Sequence, residues 1–232
     1  MKIFLTGGSG FIGSRLAERL IYEKYEVTLL LRNPDRDLWF DRNRVKIIKG
    51  DLFDKDLLTE GMKGCELVFH LAAYTKPWSK DPSLPYRINV TGTVNILEAA
   101  LKAGVKRVVL TSSCGTLGYS DNGSAVNELT VRSMPLTTLY EKTKAEAENK
   151  ALEFCTRGLD VIIVNPSRLY GPGFLTSGNS LTRIIRAYLK GTWRIVPGKG
   201  DAIGNYVFID DVVDGHLKAA LMGVSGEKYI LG

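Results

Sequence analysis

Short runs of valine, isoleucine and leucine alternate along the chain with longer segments in which apolar residues recur at helical spacing. The runs read KIFLT, EVTLLL, VKIIKG, ELVFHLAA, RVVLTSS and DVIIVNP. Such nearly continuous apolar runs are typical of strands that are buried on both faces of a sheet. Between the first two runs, Ile12, Leu16 and Leu20 lie on one face of a helix. This alternation predicts an α/β fold, a doubly wound parallel sheet with helices on both faces.

The pattern loosens after Pro166, where SRLYGPGFLTSGN is typical of a loop that glycine and proline interrupt. Beyond this loop the sequence predicts a helix near 180–190 and a short strand around 193–196. The segment NYVFIDDVVDGHLKAALMG then predicts a strand and an acid-started helix, and KYILG predicts a last strand. We therefore place a boundary near Pro166, between 1–165 and 166–232.

A glycine-rich turn, FLTGGSGFIGS, connects the first predicted strand directly to the first predicted helix. Its glycines satisfy both G-x-G-x-x-G and G-x-x-G-x-x-G. Glycine permits a tight turn and lets backbone N–H groups approach a pyrophosphate, to which the helix N-terminus adds a partial positive charge. In this context a dinucleotide-binding turn is favoured over a plain glycine-rich turn. The residues of the turn that we expect at the cofactor are Gly7, Gly10, Phe11, Ile12 and Gly13.

The second predicted strand is followed by an arginine, Arg32, where a dinucleotide-binding fold often has an acidic residue that holds the ribose hydroxyls. An arginine can pair with a ribose 2'-phosphate and lie against adenine, and Arg36 adds a second positive charge. The two arginines favour NADP as the cofactor, with NAD as the alternative. A surface arginine that binds no ligand is the other interpretation of Arg32.

Tyr140 is the tyrosine that is followed four residues later by a lysine, Lys144, so that both side chains share one helix face. An ammonium group near a phenol lowers a pKa that starts at about 10. Tyr140 could then exchange a proton with a substrate oxygen, while Lys144 could also bind the nicotinamide ribose. Thr111 and Ser113 lie at the end of the fifth predicted strand, and we assign Ser113 to the substrate oxygen. An amphipathic helix with an incidental pair is the alternative.

Composition adds few constraints. The net charge of +6 comes from 31 Lys and Arg against 25 Asp and Glu, scattered along the chain, which favours a solvated surface over nucleic-acid binding. The opening apolar run is too short for a signal peptide or a membrane span, so we expect a cytoplasmic protein. Cys65, Cys114 and Cys155 have neither disulfide nor zinc spacing, and His70 and His216 lack the companions of a metal site. We expect reduced thiols and no metal.

Together these features resemble the extended branch of the short-chain dehydrogenase/reductase superfamily, the NAD-dependent epimerase/dehydratase family, and its dihydroflavonol-reductase-like members. The resemblance rests on TGGSGFIGS, KGDL, HLAA, NVTGTVN, TSS, the pair Tyr140 and Lys144, and NPSRLYGPG. It implies an enzyme with a Rossmann domain and further cofactor contacts. The implied contacts are Asp51 and Leu52 at the adenine, Leu71, Ala72 and Ala73 after the fourth strand, Asn89 and Thr111, and Pro166 and Ser167 beside the nicotinamide.

The resemblance also describes the two parts of the chain. It implies that 1–165 is the NADP-binding domain with the catalytic tyrosine and lysine, and that 166–232 holds the end of the sheet and the start of the substrate-binding region. Members of the branch usually continue beyond a YILG segment into a smaller carboxy-terminal lobe, so we expect this lobe to be small or incomplete here. Members that act on nucleotide sugars typically carry Arg-Asp-Phe where this chain has Gly204, Asn205 and Tyr206.

From these observations we expect an NADP-dependent oxidoreductase that transfers a hydride between nicotinamide and a ketone or secondary alcohol. One alternative is a nucleotide-sugar epimerase or dehydratase with bound NAD. Another, from a different class, is a non-catalytic dinucleotide-sensing or RNA-associated protein on the same fold. The expected partner is a small-molecule substrate, with no nucleic acid and no membrane, and the helices of this fold could pair two copies as a homodimer.

Overall fold

The computed structural model describes residues 1–120, 123–176, 179–196, 198–201 and 203–232. In chain order the strands are β1 (Lys2–Thr6), β2 (Glu26–Leu31), β3 (Lys46–Lys49), β4 (Leu67–His70), β5 (Arg107–Thr111), β6 (Asp160–Pro166), β7 (Arg168–Tyr170), β8 (Tyr206–Phe208) and β9 (Lys228–Leu231). Seven of them form one parallel sheet in the order β3-β2-β1-β4-β5-β6-β9. The strand order reverses between β1 and β4, which is the point where doubly wound sheets bind ligands. The predicted fold class is confirmed.

Helices cover both faces of this sheet. They are α1 (Phe11–Tyr22), α2 (Lys55–Met62), α3 (Ser83–Tyr86), α4 (Gly92–Ala103), α5 (Leu139–Thr156), α6 (Ser180–Leu189) and α7 (Ile209–Met222). Because alternate strand residues point to opposite faces, Phe4 packs in one core with α2, α4 and α5, whereas Ile3 and Leu5 pack in the other with α1 and α7. Ion pairs from Arg15 to Asp210 and from Arg19 to Asp214 also join α1 to α7.

The segment after β6 differs from the predicted pattern at two places. Arg168–Tyr170, which we expected in a loop, forms β7 and pairs in parallel with β8, and the rings of Tyr170 and Phe208 lie 5.6 Å apart. The strand predicted around 193–196 is wrong, because these residues pair with no strand in the described part of the chain. Ile195 and Val196 are about 70% exposed there, so their apolar character has no sheet to pack on.

The start of α5 is fixed by a capping box. The Thr138 hydroxyl accepts a hydrogen bond from the Glu141 backbone N–H at 3.1 Å, and the Glu141 carboxylate accepts one from the Thr138 N–H at 3.0 Å. These reciprocal bonds satisfy two amides that a helix start leaves unpaired. They therefore place Tyr140 in the first turn of α5, next to the carboxyl edge of the sheet.

Within the described residues, no helix combines the length and the apolar character needed to cross a membrane.

Candidate active site

A cleft of about 1190 Å³ runs along the carboxyl edge of the sheet. Its walls come from the glycine turn after β1, the segments that follow β2, β3, β4 and β5, the start of α5 and the end of β6. The predicted turn residues that line it are Gly7, Gly10, Phe11, Ile12 and Gly13. The topology therefore brings the glycine turn and the tyrosine–lysine pair, which lie more than a hundred residues apart, to one cleft.

Backbone contacts at the glycine turn are too close for side chains. Gly7 has a φ of +75°, and a Cβ there would lie 2.6 Å from the Ala72 nitrogen; a Cβ at Gly13 would lie 2.3 Å from the Gly7 carbonyl oxygen. Gly10 is the N-cap residue of α1 and offers no side-chain cap to the amides of the first helical turn. Those amides are free to bind an anion, so the turn fits the pyrophosphate of a dinucleotide.

Positive charge dominates the cleft. Arg32 and Arg36, both exposed, line it beyond β2, whereas Glu26 is at the opposite end of that strand and pairs with Lys2. Asp51 and Leu52 after β3 also line it, as predicted, and so do Leu71, Ala72 and Ala73 after β4. Sequence reasoning missed three further cations of the wall, which are Lys76, Arg87 and Arg168. Among the described lining residues Asp51 is the single acid, and the cleft therefore suits a polyanionic ligand.

The predicted catalytic residues meet in this cleft, where Thr111, Ser113, Tyr140 and Lys144 all line the wall. The Lys144 side chain is 2% exposed, and its Nζ atom donates a 2.6 Å hydrogen bond to the Thr111 carbonyl oxygen. Burial lowers the pKa of Lys144 to about 8, and the charge of Glu148 opposes this shift. Lys144 therefore loses its proton in the mildly alkaline range, well below the usual range for a lysine.

The prediction that the pKa of Tyr140 is lowered is wrong. Burial raises the pKa of Tyr140 above its usual value of about 10, a hydrogen bond with the Ser113 side chain acts in the opposite direction, and the Glu148 charge raises it further. Burial therefore dominates the pKa of Tyr140, while the Lys144 Nζ atom donates its hydrogen bond to the Thr111 carbonyl oxygen. Tyr140 is therefore a protonated phenol at neutral pH, ready to donate.

At the end of β6, Pro166 and Ser167 line the cleft as predicted. The Ser167 Oγ atom is buried and has no hydrogen-bond partner within the described part of the chain. Native proteins rarely leave a buried hydroxyl unpaired, so this atom fits a polar group of a bound cofactor.

Asn89 is the predicted cofactor residue that the structure places behind the cleft wall. Its side chain is buried, and its Oδ1 accepts a hydrogen bond from the Tyr74 N–H at 2.7 Å while its Nδ2 donates to the Tyr74 carbonyl and to the Thr143 hydroxyl. It lies in a single π-helical turn, Arg87–Thr91, that leads into α4. Asn89 thus ties the loop after β4 to α5, and its contact with the cofactor is not supported by its position.

Sequence reasoning missed Glu148, a buried carboxylate on α5. It follows Lys144 by four residues, as Lys144 follows Tyr140, so the helical spacing was a usable signal.

The cleft also has an apolar part, formed by β7, the segment 171–176 and α6. Its apolar side chains are Leu169, Leu175, Leu181 and Ile184. Leu175 and Ile184 are 46% and 38% exposed, so this wall can contact a hydrophobic molecule directly.

Comparisons with known proteins agree with this geometry. The family model "NAD dependent epimerase/dehydratase family" matches residues 3–232. A putative dihydroflavonol 4-reductase from Synechocystis sp. is 36% identical over 99% of this chain and 67% of its own length. Sterol demethylase protein B from Methylococcus capsulatus is 33% identical over 100% of this chain and 69% of its own length.

Among solved structures, a double mutant of a dTDP-glucose 4,6-dehydratase from Streptomyces venezuelae with NAD bound superimposes with a TM-score of 0.84. It is 29% identical, and the match covers 100% of this chain and 76% of that one. The resemblance predicted from the motifs is confirmed. The chain belongs to the NAD-dependent epimerase/dehydratase family, a family of enzymes within the extended short-chain dehydrogenases/reductases.

Proposed function

We propose that the protein is an NADP-dependent oxidoreductase that interconverts a ketone and a secondary alcohol, with Tyr140 as the acid and base. The observation that carries this proposal is the pair Arg32 and Arg36 on the cleft wall beyond β2. A 2'-phosphate needs a cation at this point of the fold, whereas free ribose hydroxyls need an acceptor. The acid of β2, Glu26, is at the far end of the strand and pairs with Lys2.

When bound, the cofactor would supply the hydride as NADPH and accept it as NADP+. During reduction Tyr140 donates its phenolic proton to the substrate oxygen, and the Ser113 hydroxyl donates a hydrogen bond to the same oxygen. The raised pKa of Tyr140 keeps the phenol protonated at neutral pH, so the proton for this step is present. Lys144 is charged below about pH 8, and its ammonium stabilises the phenolate that remains after the transfer. During oxidation the same phenolate takes the proton back.

An apolar substrate is supported by the side chains of Leu169, Leu175, Leu181 and Ile184 along the cleft. A carbonyl compound with a hydrophobic body would bury these side chains while its oxygen faces Tyr140. The names of the relatives, a putative dihydroflavonol 4-reductase and a sterol demethylase protein, are consistent with substrates of this kind.

A nucleotide-sugar epimerase or dehydratase with bound NAD is the second candidate. Arg168 favours it, because this cation lines the cleft with its guanidinium 5.9 Å from the Tyr206 ring and could bind a nucleotide phosphate. Gly204 weighs against it, since sugar-nucleotide members typically have an arginine at this position. A non-catalytic dinucleotide-sensing protein is the third candidate, and it would bind the cofactor without turnover, so reduction of a ketone that is lost in Tyr140→Phe would exclude it. A cytoplasmic homodimer without nucleic-acid or membrane partners completes the proposal.

A cofactor titration tests the first candidate. NADPH and NADH binding to the protein and to Arg32→Asp would be followed by nicotinamide fluorescence. We expect tighter binding of NADPH, and a loss of about tenfold or more for NADPH in the variant, because a charge-assisted pair becomes a repulsive one. Arg44→Asp is the matched control, as this exposed arginine carries the same charge and is not among the residues that line the cleft. Equal affinity for the two cofactors would disprove the proposal.

A further inference from the structure

The helix face that carries Tyr140 and Lys144 continues to Glu148, one further turn along α5. The Glu148 side chain is 2% exposed, and its Oε2 pairs with the Nζ atom of Lys228 from β9 at 2.6 Å. A carboxylate buried this deeply is costly unless it is paired and fully hydrogen-bonded. Its position directly behind a catalytic lysine therefore calls for a role.

The other carboxylate oxygen of Glu148 accepts three hydrogen bonds. Oε1 accepts hydrogen bonds from the Thr116 hydroxyl and from the Asn165 Nδ2, both at 2.8 Å, and from the Ser112 hydroxyl. These donors come from the carboxyl ends of β5 and β6 and from the short 3-10 turn after β5. Glu148 thus joins α5 to the strand ends that form the wall of the cleft.

Two of these donors also hold Ser113. The Thr116 hydroxyl lies 2.9 Å and the Asn165 Nδ2 3.1 Å from the Ser113 carbonyl oxygen. The Asn165 amide has two hydrogens and can donate to Glu148 and to the Ser113 carbonyl together, whereas the Thr116 hydroxyl has a single proton for one of these two acceptors. Through Asn165 the carboxylate therefore fixes the backbone of Ser113, the residue whose hydroxyl faces Tyr140. The bonds that define this position all lie behind the cleft wall, where a substrate would not disturb them.

The charges around this group are few. Burial lowers the pKa of His70 on β4 to about 3 and raises that of the Cys114 thiol to about 11, so both are neutral near pH 7. Glu148 has Lys228 on one side and Lys144 on the other, and Tyr140 and Glu141 are further titratable groups of α5. Its negative charge raises the pKa of Lys144 against the effect of burial.

We propose that Glu148 is a positioning residue of this active site: its carboxylate holds the backbone of Ser113 through Asn165 and places a negative charge behind Lys144. The inference rests on the proposed function only for the roles of Ser113, Tyr140 and Lys144.

The charge effect can be measured without substrate or cofactor. Protein labelled with 13C at the lysine ε carbons would be titrated by NMR, with the Lys144 resonance assigned through Lys144→Met. In Glu148→Gln we expect the pKa of Lys144 to fall by about one pH unit, because the nearby negative charge is lost. Glu153→Gln, on the exposed side of the same helix, is the charge-matched control and should leave it unchanged. An unchanged or raised pKa in Glu148→Gln would overturn the proposal.

If Glu148→Gln does not fold, Lys228→Met provides a second test of the same charge effect. This substitution removes a positive charge beside Glu148 and is expected to raise the pKa of Lys144, whereas a fall or no change would contradict the assignment. The failure of the proposed function is distinguishable, because a protein that prefers NAD would still show both shifts.

The contact with Ser113 needs its own variant. Asn165→Leu removes the amide that joins Glu148 to the Ser113 carbonyl but leaves the charge of Glu148 in place. We expect an unchanged Lys144 pKa together with a loss of turnover of about tenfold or more, as for a displaced catalytic group. Full turnover in Asn165→Leu would refute the positioning of Ser113 through this amide.

Discussion

The Nζ atom of Lys144 lies 2.6 Å from the carbonyl oxygen of Thr111, the last residue of β5. The Thr111 hydroxyl in turn lies 2.9 Å from the Nε2 atom of His216 on α7, whose Nδ1 lies 2.7 Å from the Val212 carbonyl oxygen. A buried chain of hydrogen bonds therefore runs from α7 through β5 to the lysine of α5. This chain fixes where the ammonium points before any cofactor is bound.

Substitution of Lys144 should abolish most of the activity. Lys144→Met removes the ammonium that stabilises the phenolate, so we expect the rate of ketone reduction to fall by about a hundredfold or more. The rate would be followed as NADPH consumption with a ketone that the unsubstituted enzyme reduces. Lys142→Met is the control, because Lys142 is exposed and lies on another face of the same helix. Equal losses in the two variants would argue against a specific role for Lys144.

Gly13→Ala should prevent cofactor binding. A Cβ at Gly13 would lie 2.3 Å from the Gly7 carbonyl oxygen, and this backbone contact cannot be relieved by a side-chain rotation. We expect NADPH affinity to fall by about tenfold or more, since the turn has to move away from the pyrophosphate. The matched variant is Gly61→Ala on α2, where a Cβ would meet only side-chain atoms of Ile48 and Phe4. Retained NADPH affinity in Gly13→Ala would show that the turn does not hold the phosphates.

The two buried histidines should make the protein sensitive to acid. Burial lowers the pKa of His70 to about 3 and that of His216 to about 4, against about 6.5 in the unfolded chain. As the pH falls below about 6.5, the unfolded state binds protons that the folded state does not, and stability decreases. Each histidine should cost on the order of 2 kcal/mol between pH 7 and pH 5.

Urea unfolding of His216→Gln at these two pH values checks this prediction. The variant loses the bond to Thr111 and should be less stable at pH 7 by about 1 kcal/mol. Its further loss on acidification should be smaller than that of the unsubstituted protein by about 2 kcal/mol. The same acid dependence in both proteins would mean that His216 is not held in its neutral form.

Asn89→Ala should loosen the loop that follows β4. The substitution removes both hydrogen bonds to the Tyr74 backbone and the bond to Thr143, and we expect a loss of about 1–3 kcal/mol in the free energy of unfolding. Hydrogen exchange at the Tyr74 amide should also become faster than at the strand amides. Asn149→Ala, at an exposed position of α5, should leave both quantities unchanged. Slow exchange at Tyr74 in Asn89→Ala would contradict this role.

The sequence by itself determined the sheet, the glycine turn and the shared face of Tyr140 and Lys144. These features depend on local signals: apolar runs of strand length, glycines between a strand and a helix, and a four-residue spacing on α5. Strand and helix bounds follow from the same periodicity, and β1, β2 and β6 have the predicted limits. The family could also be identified at this level, because its motifs are contiguous.

Only the tertiary structure decided the pairing of β7 with β8, the absence of the strand predicted at 193–196, the burial of Asn89 and the direction of the Tyr140 pKa. Each depends on groups that are distant along the chain, as Lys228 is from Glu148 and Thr143 is from Asn89. A strand exists only where another strand accepts its hydrogen bonds, and a pKa depends on burial and on the charges that folding brings near. The spacing of two residues on a helix fixes that they share a face, but the surrounding core sets their protonation.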